Sequence, residues 1–517
     1  MRKHRPFSQK LLDMKKIVFI LTLALVAALP LSAQVDNDSW LIDYSWLDQD
    51  DYNTFKQQSE KKFNDFRDSA NAIFARELAR QWQPVPLQKP VERPHKPQPK
   101  VAPVAPKPQK QHKPTPALEK MPEPEMVVPA PVIPAPVKRV LPMPEIPANP
   151  DEASFNFYEK ELVLWIPKKS DVSSCTLAST KEKDVSRMWK TLCKADVQSC
   201  INQLLAQQKT LKVNDWGMYE LASSLAANLF PDNNRRVIAT VFLLNQMEYD
   251  AKIARTDNGL ACLLAIDCMV YANPYVNFGN KKYFLFMPDN AQKDYRGDVH
   301  TYSCSLKGSN LRFDMAVSSS PAIPLTKYSK DYERSVDTNR AVVPVNENLM
   351  DYYKNYPQVD ISIYANAQPD SLFRSAVDKW FRPMVKGKTI YDAVSTLLSF
   401  MQFGFDYATD QEQFGYEKPF FCEENFYYPK NDCEDRSILL SFLVRYLLNL
   451  DVVLVEYQGH LATAVLFPKG DVNGDYYKVD GKKYVVCDPT YIGADIGMVQ
   501  PDYKKVSAKI IKLSPLH

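Results

Sequence analysis

The sequence predicts an α+β protein whose folded body follows a long proline-rich segment. Three observations carry this reading. Ile390 to Phe403 and Glu434 to Leu450 have the apolar periodicity and length of helices. Apolar runs follow at Val452–Tyr457, Leu461–Phe467 and Tyr484–Cys487; they are strands, the latter two buried by their near-continuous apolar character. Prolines number 39 in the chain, and 21 of the 67 residues from Pro84 to Pro150 are proline.

From the N-terminus, Lys15 and Lys16 precede an apolar run from Ile17 to Leu31 and then Ser32-Ala33. Roughly fifteen apolar residues suit an export signal better than a membrane span, which needs about twenty. Residues 1–33 are therefore expected to be a signal peptide and the protein to be exported, to the periplasm or cell surface. No later run is long enough to span a bilayer. Residues 34–83 read as a helical segment. Phe55, Phe63, Phe66, Ile73, Phe74 and Leu78 fall at near-helical spacing within Tyr52–Trp82. That helix either docks a partner or packs on the main body. The stretch 84–150 reads as a linker, because proline fixes φ and removes donors and so should build neither a sheet nor a long helix. A cell-envelope partner, if there is one, is expected at the N-terminal helix or at this linker. Beyond it the expectation is an α+β domain at 151–320, a connecting region at 321–385 and a further domain at 386–517.

Formal net charge is +3 over 517 residues, which argues against nucleic acid as a partner. The nine cysteines match no paired-cysteine zinc pattern, and there are only six histidines. No metal and no cofactor is expected. An odd cysteine count in an exported chain leaves at least one thiol unpaired.

Three residues fall at element boundaries in an order that chemistry can use. Cys433, in NDCEDRS, opens the helix of Glu434–Leu450, where amides and the macrodipole favour a thiolate and can donate to an oxyanion. Glu434 and Asp435 oppose that thiolate, so a histidine cation beside it is needed. His460 begins the strand after the turn Gln458-Gly459. Asp488 ends the next strand, where Pro489 stops it. Cysteine, histidine and aspartate so placed form a nucleophile, base and orienter.

NDCEDRS resembles the nucleophile segment of the bacterial transglutaminase-like cysteine proteinases. GHLATAV and YVVCDPTY resemble that superfamily's histidine and aspartate segments, in its order. The resemblance covers roughly Thr389 to Tyr503. It implies a papain-like fold and acyl transfer through a cysteine thioester, with Cys433, His460 and Asp488 as the triad and a protein or peptide as substrate. Papain-like enzymes add an upstream oxyanion side chain, for which Gln402 is the candidate. Some relatives use calcium; Asp471, Asn473 and Asp475 are read here as a hairpin turn instead. The leading expectation is an exported cysteine peptidase or amidase. The alternatives are a cross-linking transglutaminase, with a lysine amine resolving the thioester, and a non-catalytic peptide-binding or assembly module.

The upstream domain reads as an inactive copy or as an unrelated α+β domain. Shifting the chain by 201 residues places Arg235 on Arg436, Asp250 on Asp451, Leu260-Ala261 on Leu461-Ala462, and Lys281–Tyr283 on Lys482–Tyr484. In that frame Asp232, Gly259 and Met287 occupy the three catalytic positions, and none can do the chemistry. A shared strand order is the test of this frame.

Overall fold

The computed structural model describes residues 49–94, 96–102, 120–130, 151–293, 295–325, 330–468, 470 and 472–516. The expected signal at 1–33 and Asp471 of the glycine-rich hairpin lie outside the described residues. The chain falls into two compact units, residues 1–66 and 67–517. In the first, the described residues are the opening turns of the helix Gln49–Leu78. No helix among the described residues is long and apolar enough to cross a membrane.

The second unit is α+β and is built on two six-stranded sheets. The order across the first is Tyr275–Phe278, Lys281–Phe286, Gly259–Ala265, Ala251–Thr256, Val299–Thr301 and Gln83–Val85. The order across the second is Tyr476–Val479, Lys482–Cys487, His460–Leu466, Val452–Tyr457, Lys509–Lys512 and Met126–Val128. The first four strands of each sheet correspond one to one, and each begins and ends 201 residues after its counterpart. A helix precedes each set, Asn233–Gln246 in one half and Cys433–Leu448 in the other. Both helices start from an aspartate cap, Asp232 and Asp432. The caps are 200 residues apart, so the correspondence slips by one residue at the helix start. Each half also opens with a hairpin of two seven-residue strands, Asp151–Phe157 with Lys160–Ile166 and Lys330–Val336 with Asn339–Val345.

The helix Cys433–Leu448 is the centre of the second half. Residues 433 to 445 are all buried, the charged and polar side chains of the first turn included. Each large apolar side chain so covered contributes roughly 1.5–3 kcal/mol. Two buried arginines also lie on this helix. Arg436 donates to Asn431 Oδ1 (2.8 Å), Gln402 O (3.3 Å) and Phe405 O (2.8 Å). Arg445 donates to Ser441 O (3.0 Å), Ser514 O (2.8 Å) and the Ala365 carbonyl. Burial lowers the pKa of each guanidinium, to about 10 after neighbouring groups have raised it in part, and these carbonyls offset the lost hydration. The helix expected over Ile390–Phe403 spans those residues and packs on this one. The stretch read as a connection, 321–385, instead supplies a hairpin and the helices Glu347–Asn355 and Ser371–Val385, whose apolar side chains join the same core.

The proline-rich segment is not wholly a free spacer. Gln83–Val85 pairs with Val299–Thr301, Lys100–Val101 with Tyr491–Ile492, and Met126–Val128 with Lys509–Ile511. These pieces are two or three residues long and lie at sheet edges. An edge strand needs hydrogen bonds on one side only, so proline is tolerated within it, as Pro84 is opposite His300.

Candidate functional site

The site forms where the Cys433 helix meets the strands that start at His460 and end at Cys487. Asp432 caps the helix, accepting from the N–H groups of Glu434 (2.8 Å) and Asp435 (3.4 Å), and the Asp435 side chain accepts in turn from the Asp432 N–H (3.0 Å). This reciprocal cap fixes the first turn. It also engages the amides after the nucleophile position, so the N–H of Cys433 itself is the helix-tip donor the cap does not use.

His460 and Asp488 are brought together by strand pairing. Their strands run antiparallel, with Thr463 opposite Cys487. His460 Nε2 lies 2.9 Å from Asp488 Oδ2. In the tautomer protonated at Nε2, this is an N–H···O bond that leaves Nδ1 as a base. Asp488 Oδ1 accepts from Thr490 N (2.9 Å), Thr490 Oγ1 (3.0 Å) and Tyr491 N (3.1 Å), and Oδ2 accepts also from Gln500 Nε2 (2.9 Å). Burial opposes ionisation of this carboxyl, but the imidazole and these donors prevail and hold its pKa below the usual value. The imidazole stacks on the Tyr503 ring, 5.0 Å between centroids.

Cys433 is 1% exposed. Burial pushes its thiol well above the ordinary value, and Asp432 and Glu434 push in the same direction. The Lys96 ammonium and the Leu461 N–H oppose them. Among the described residues Cys433 has no hydrogen bond to His460; the sulfur faces the N–H of the next residue in the strand, Leu461. All nine cysteines are free thiols.

Gln402 takes a different part from the oxyanion donor expected of it. Its amide nitrogen donates to the carbonyls of Asp488 (3.2 Å), Tyr491 (3.0 Å) and Ala494 (3.1 Å), and its oxygen accepts from Gly493 N (3.2 Å). Both amide hydrogens are engaged, and the side chain clamps the loop that carries Asp488.

Four residues that the sequence did not single out complete the site. Gln500 and Tyr503 come from a loop after the last expected strand. Arg93 and Lys96 come from the proline-rich segment. Lys96 Nζ lies 2.5 Å from Glu434 Oε1, and Arg93 Nη1 lies 3.5 Å from the same oxygen. All three side chains are nearly inaccessible to solvent. Burial works against the charge on Lys96, but Glu434, Cys433 and Asp432 outweigh it and raise its pKa. Burial likewise opposes ionisation of Glu434, and Lys96 and Arg93 reverse that effect.

A second group of carboxylates adjoins the helix tip. Asp410, Glu417 and Asp432 are buried, with ligand oxygens within 4.8 Å of one another. Burial, and then the charge of Asp432, pushes Asp410 up to about 9; burial, and then Glu434, pushes Asp432 up to about 7. Among the described residues, hard oxygen donors so arranged are the groups of this half that could hold a divalent cation. Asp475, from the expected turn, instead accepts from Val499 N (2.9 Å) and pairs with Lys504 (3.3 Å).

In the upstream half, Asp232 caps its helix, Gly259 starts its strand and Met287 follows the strand Lys281–Phe286. A cavity of about 410 Å³ lies there, lined by Tyr158, Trp216, Tyr219, Glu220, Arg236 and Met287 among others. The chain matches no family model, no curated protein and no solved structure.

Proposed function

We propose that this chain is a cysteine hydrolase, a peptidase or amidase, acting by acyl transfer on a transglutaminase-like, papain-like domain. The observation that carries the reading is the His460–Asp488 pair. Its carboxylate is held by four further donor contacts, and it lies on strands beside the helix that Cys433 opens. Orienting an imidazole so firmly serves a base.

In the reaction, His460 Nδ1 takes the thiol proton as Cys433 Sγ attacks the carbonyl carbon of a peptide amide. The carbonyl oxygen becomes an oxyanion, to which the Cys433 N–H at the helix tip donates. The C–N bond breaks, the proton passes from His460 to the leaving amine, and a thioester remains. Water, deprotonated by His460, then attacks the thioester and releases the acid and the thiol. Asp488 holds the imidazole and stabilises its cationic form. An amine in place of water would cross-link, and excess amine added to the assay would separate the two outcomes. Export follows the N-terminal signal pattern. The common strand order and the 201-residue spacing support descent of the 151–320 half from the same unit, without its catalytic residues.

A second reading is a module that grips peptide without turnover. The burial of Cys433, which pushes its thiol above the ordinary value, favours it. Peptide-library hydrolysis by the full chain, against Cys433→Ala and His460→Ala, decides. Cleavage abolished by both substitutions supports the hydrolase; cleavage that survives Cys433→Ala, or none by the intact chain under any condition that frees the thiol, refutes it.

A further inference from the structure

Residues 91–94 and 96–101 of the proline-rich segment run past the Cys433 site, where Arg93 and Lys96 reach Glu434. Upstream of the site, Val91 O accepts from Ala272 N (2.9 Å), and the Arg93 guanidinium lies over the Tyr271 ring, 4.2 Å from its centroid. Downstream, Pro97 O accepts from Tyr407 OH (2.8 Å) and Gln98 donates to Glu412 (2.8 Å). Lys100–Val101 then adds as a parallel strand to Tyr491–Ile492, immediately beyond the Asp488 loop. Between these anchors Lys96 is delivered to Glu434, the residue next to the nucleophile position. Backbone contacts on both sides and one side chain in a closed polar pocket are how a domain holds a peptide ligand.

Glu434 defines what such a peptide must carry. Its carboxylate is buried, and among the described residues the cations paired with it, Arg93 and Lys96, both come from this segment. A carboxylate left in that position without a cation bears the full desolvation cost of a buried charge. An occupant with a neutral or acidic side chain there is therefore rejected, and one with a basic side chain replaces like with like.

We propose that Arg93, Lys96, Pro97 and Gln98 lie in the substrate groove of the Cys433 site, and that Glu434 makes this groove selective for peptides presenting a lysine or arginine side chain beside the reacting amide. The proposal rests on the hydrolase reading for the word substrate, but occupancy of the groove stands apart from turnover. Substrate enters by displacing the chain's own segment, one basic side chain exchanging for another on Glu434.

The test uses the full chain and Arg93→Met/Lys96→Met. Iodoacetamide labelling of Cys433, followed on its own peptide by mass spectrometry, is expected to quicken at least tenfold in the double variant. A fluorescent synthetic peptide spanning residues 90–99 is expected to bind that variant saturably and the intact chain at least tenfold more weakly. Exchanging its lysine for glutamate, or adding Glu434→Gln to the protein, is expected to abolish binding. Should the double substitution disturb the circular dichroism spectrum, Lys96→Gln alone carries the same readouts. Unchanged labelling, or peptide binding indifferent to the lysine and to Glu434, overturns the proposal. These readouts report occupancy alone, so loss of the hydrolase reading, seen as absent turnover in the loosened variant, would leave them standing and is told apart from their failure.

Discussion

Replacing Gln402 with methionine tests how the Asp488 loop is held. The glutamine is buried, and its amide faces three carbonyls at 3.0–3.2 Å and one N–H at 3.2 Å. Two hydrogens and one oxygen can satisfy about three bonds at once. At roughly 1–1.5 kcal/mol each, with buried carbonyls left unpaired behind them, the loss should be about 3–4 kcal/mol. Methionine keeps the length and volume of the side chain, so repacking adds less than about 1.5 kcal/mol. Urea unfolding followed by tryptophan fluorescence measures the change. A loss below about 1 kcal/mol would refute the clamp and return the amide to candidacy as an oxyanion donor. Gln402→Glu, which cannot donate when ionised, should be at least as damaging.

The buried carboxyls set a pH dependence. Asp410 and Asp432 are raised to about 9 and about 7, against roughly 3.9 in an unfolded chain. The folded state therefore holds extra protons between these limits, and stability should fall as pH rises from about 4 towards 9. Melting temperatures across pH 6 to 9.5 check the sign, and Asp410→Asn should flatten the slope. Asp488→Ala should lower peptide turnover on the order of 10³- to 10⁴-fold, because the imidazole loses the acceptor that orients it; an effect below tenfold in steady-state kinetics counts against the triad. Gly474 has φ +125°, and a Cβ there would lie 2.4 Å from Gly497 Cα. Gly474→Ala should cost at least about 2 kcal/mol in denaturant unfolding, since two backbones must part.

Much of the second half was legible because its elements are strongly patterned. The run IYDAVSTLLSFMQF has a helical period and becomes a helix over the same residues. The apolar runs beginning at Val452 and Leu461 become neighbouring strands, since a run of strand length that is apolar nearly throughout demands burial. The meeting of His460 with Asp488 follows from placing polar residues at the ends of such strands. Gln500 and Tyr503 were not legible, because VQPDYKK has no period and its contacts arise from loop closure. Lys96 and Glu434 are separated by 338 positions, and a proline-rich stretch carries no local signal for where it lands. The clamp made by Gln402 was hidden for a related reason: a glutamine on a helix reads alike whether its amide serves chemistry or a loop.

The short strands Gln83–Val85 and Met126–Val128 have a bearing on association between molecules. Each ends a six-stranded sheet, in one half and in the other. Without them, Val299–Thr301 and Lys509–Lys512 would present rows of unsatisfied amides and carbonyls, a template on which another chain could add. The chain thus terminates its own sheets with material too short and too rich in flanking proline to pair further. A body made from residue 151 onward would carry two open rims and should aggregate on concentration more readily than the intact chain.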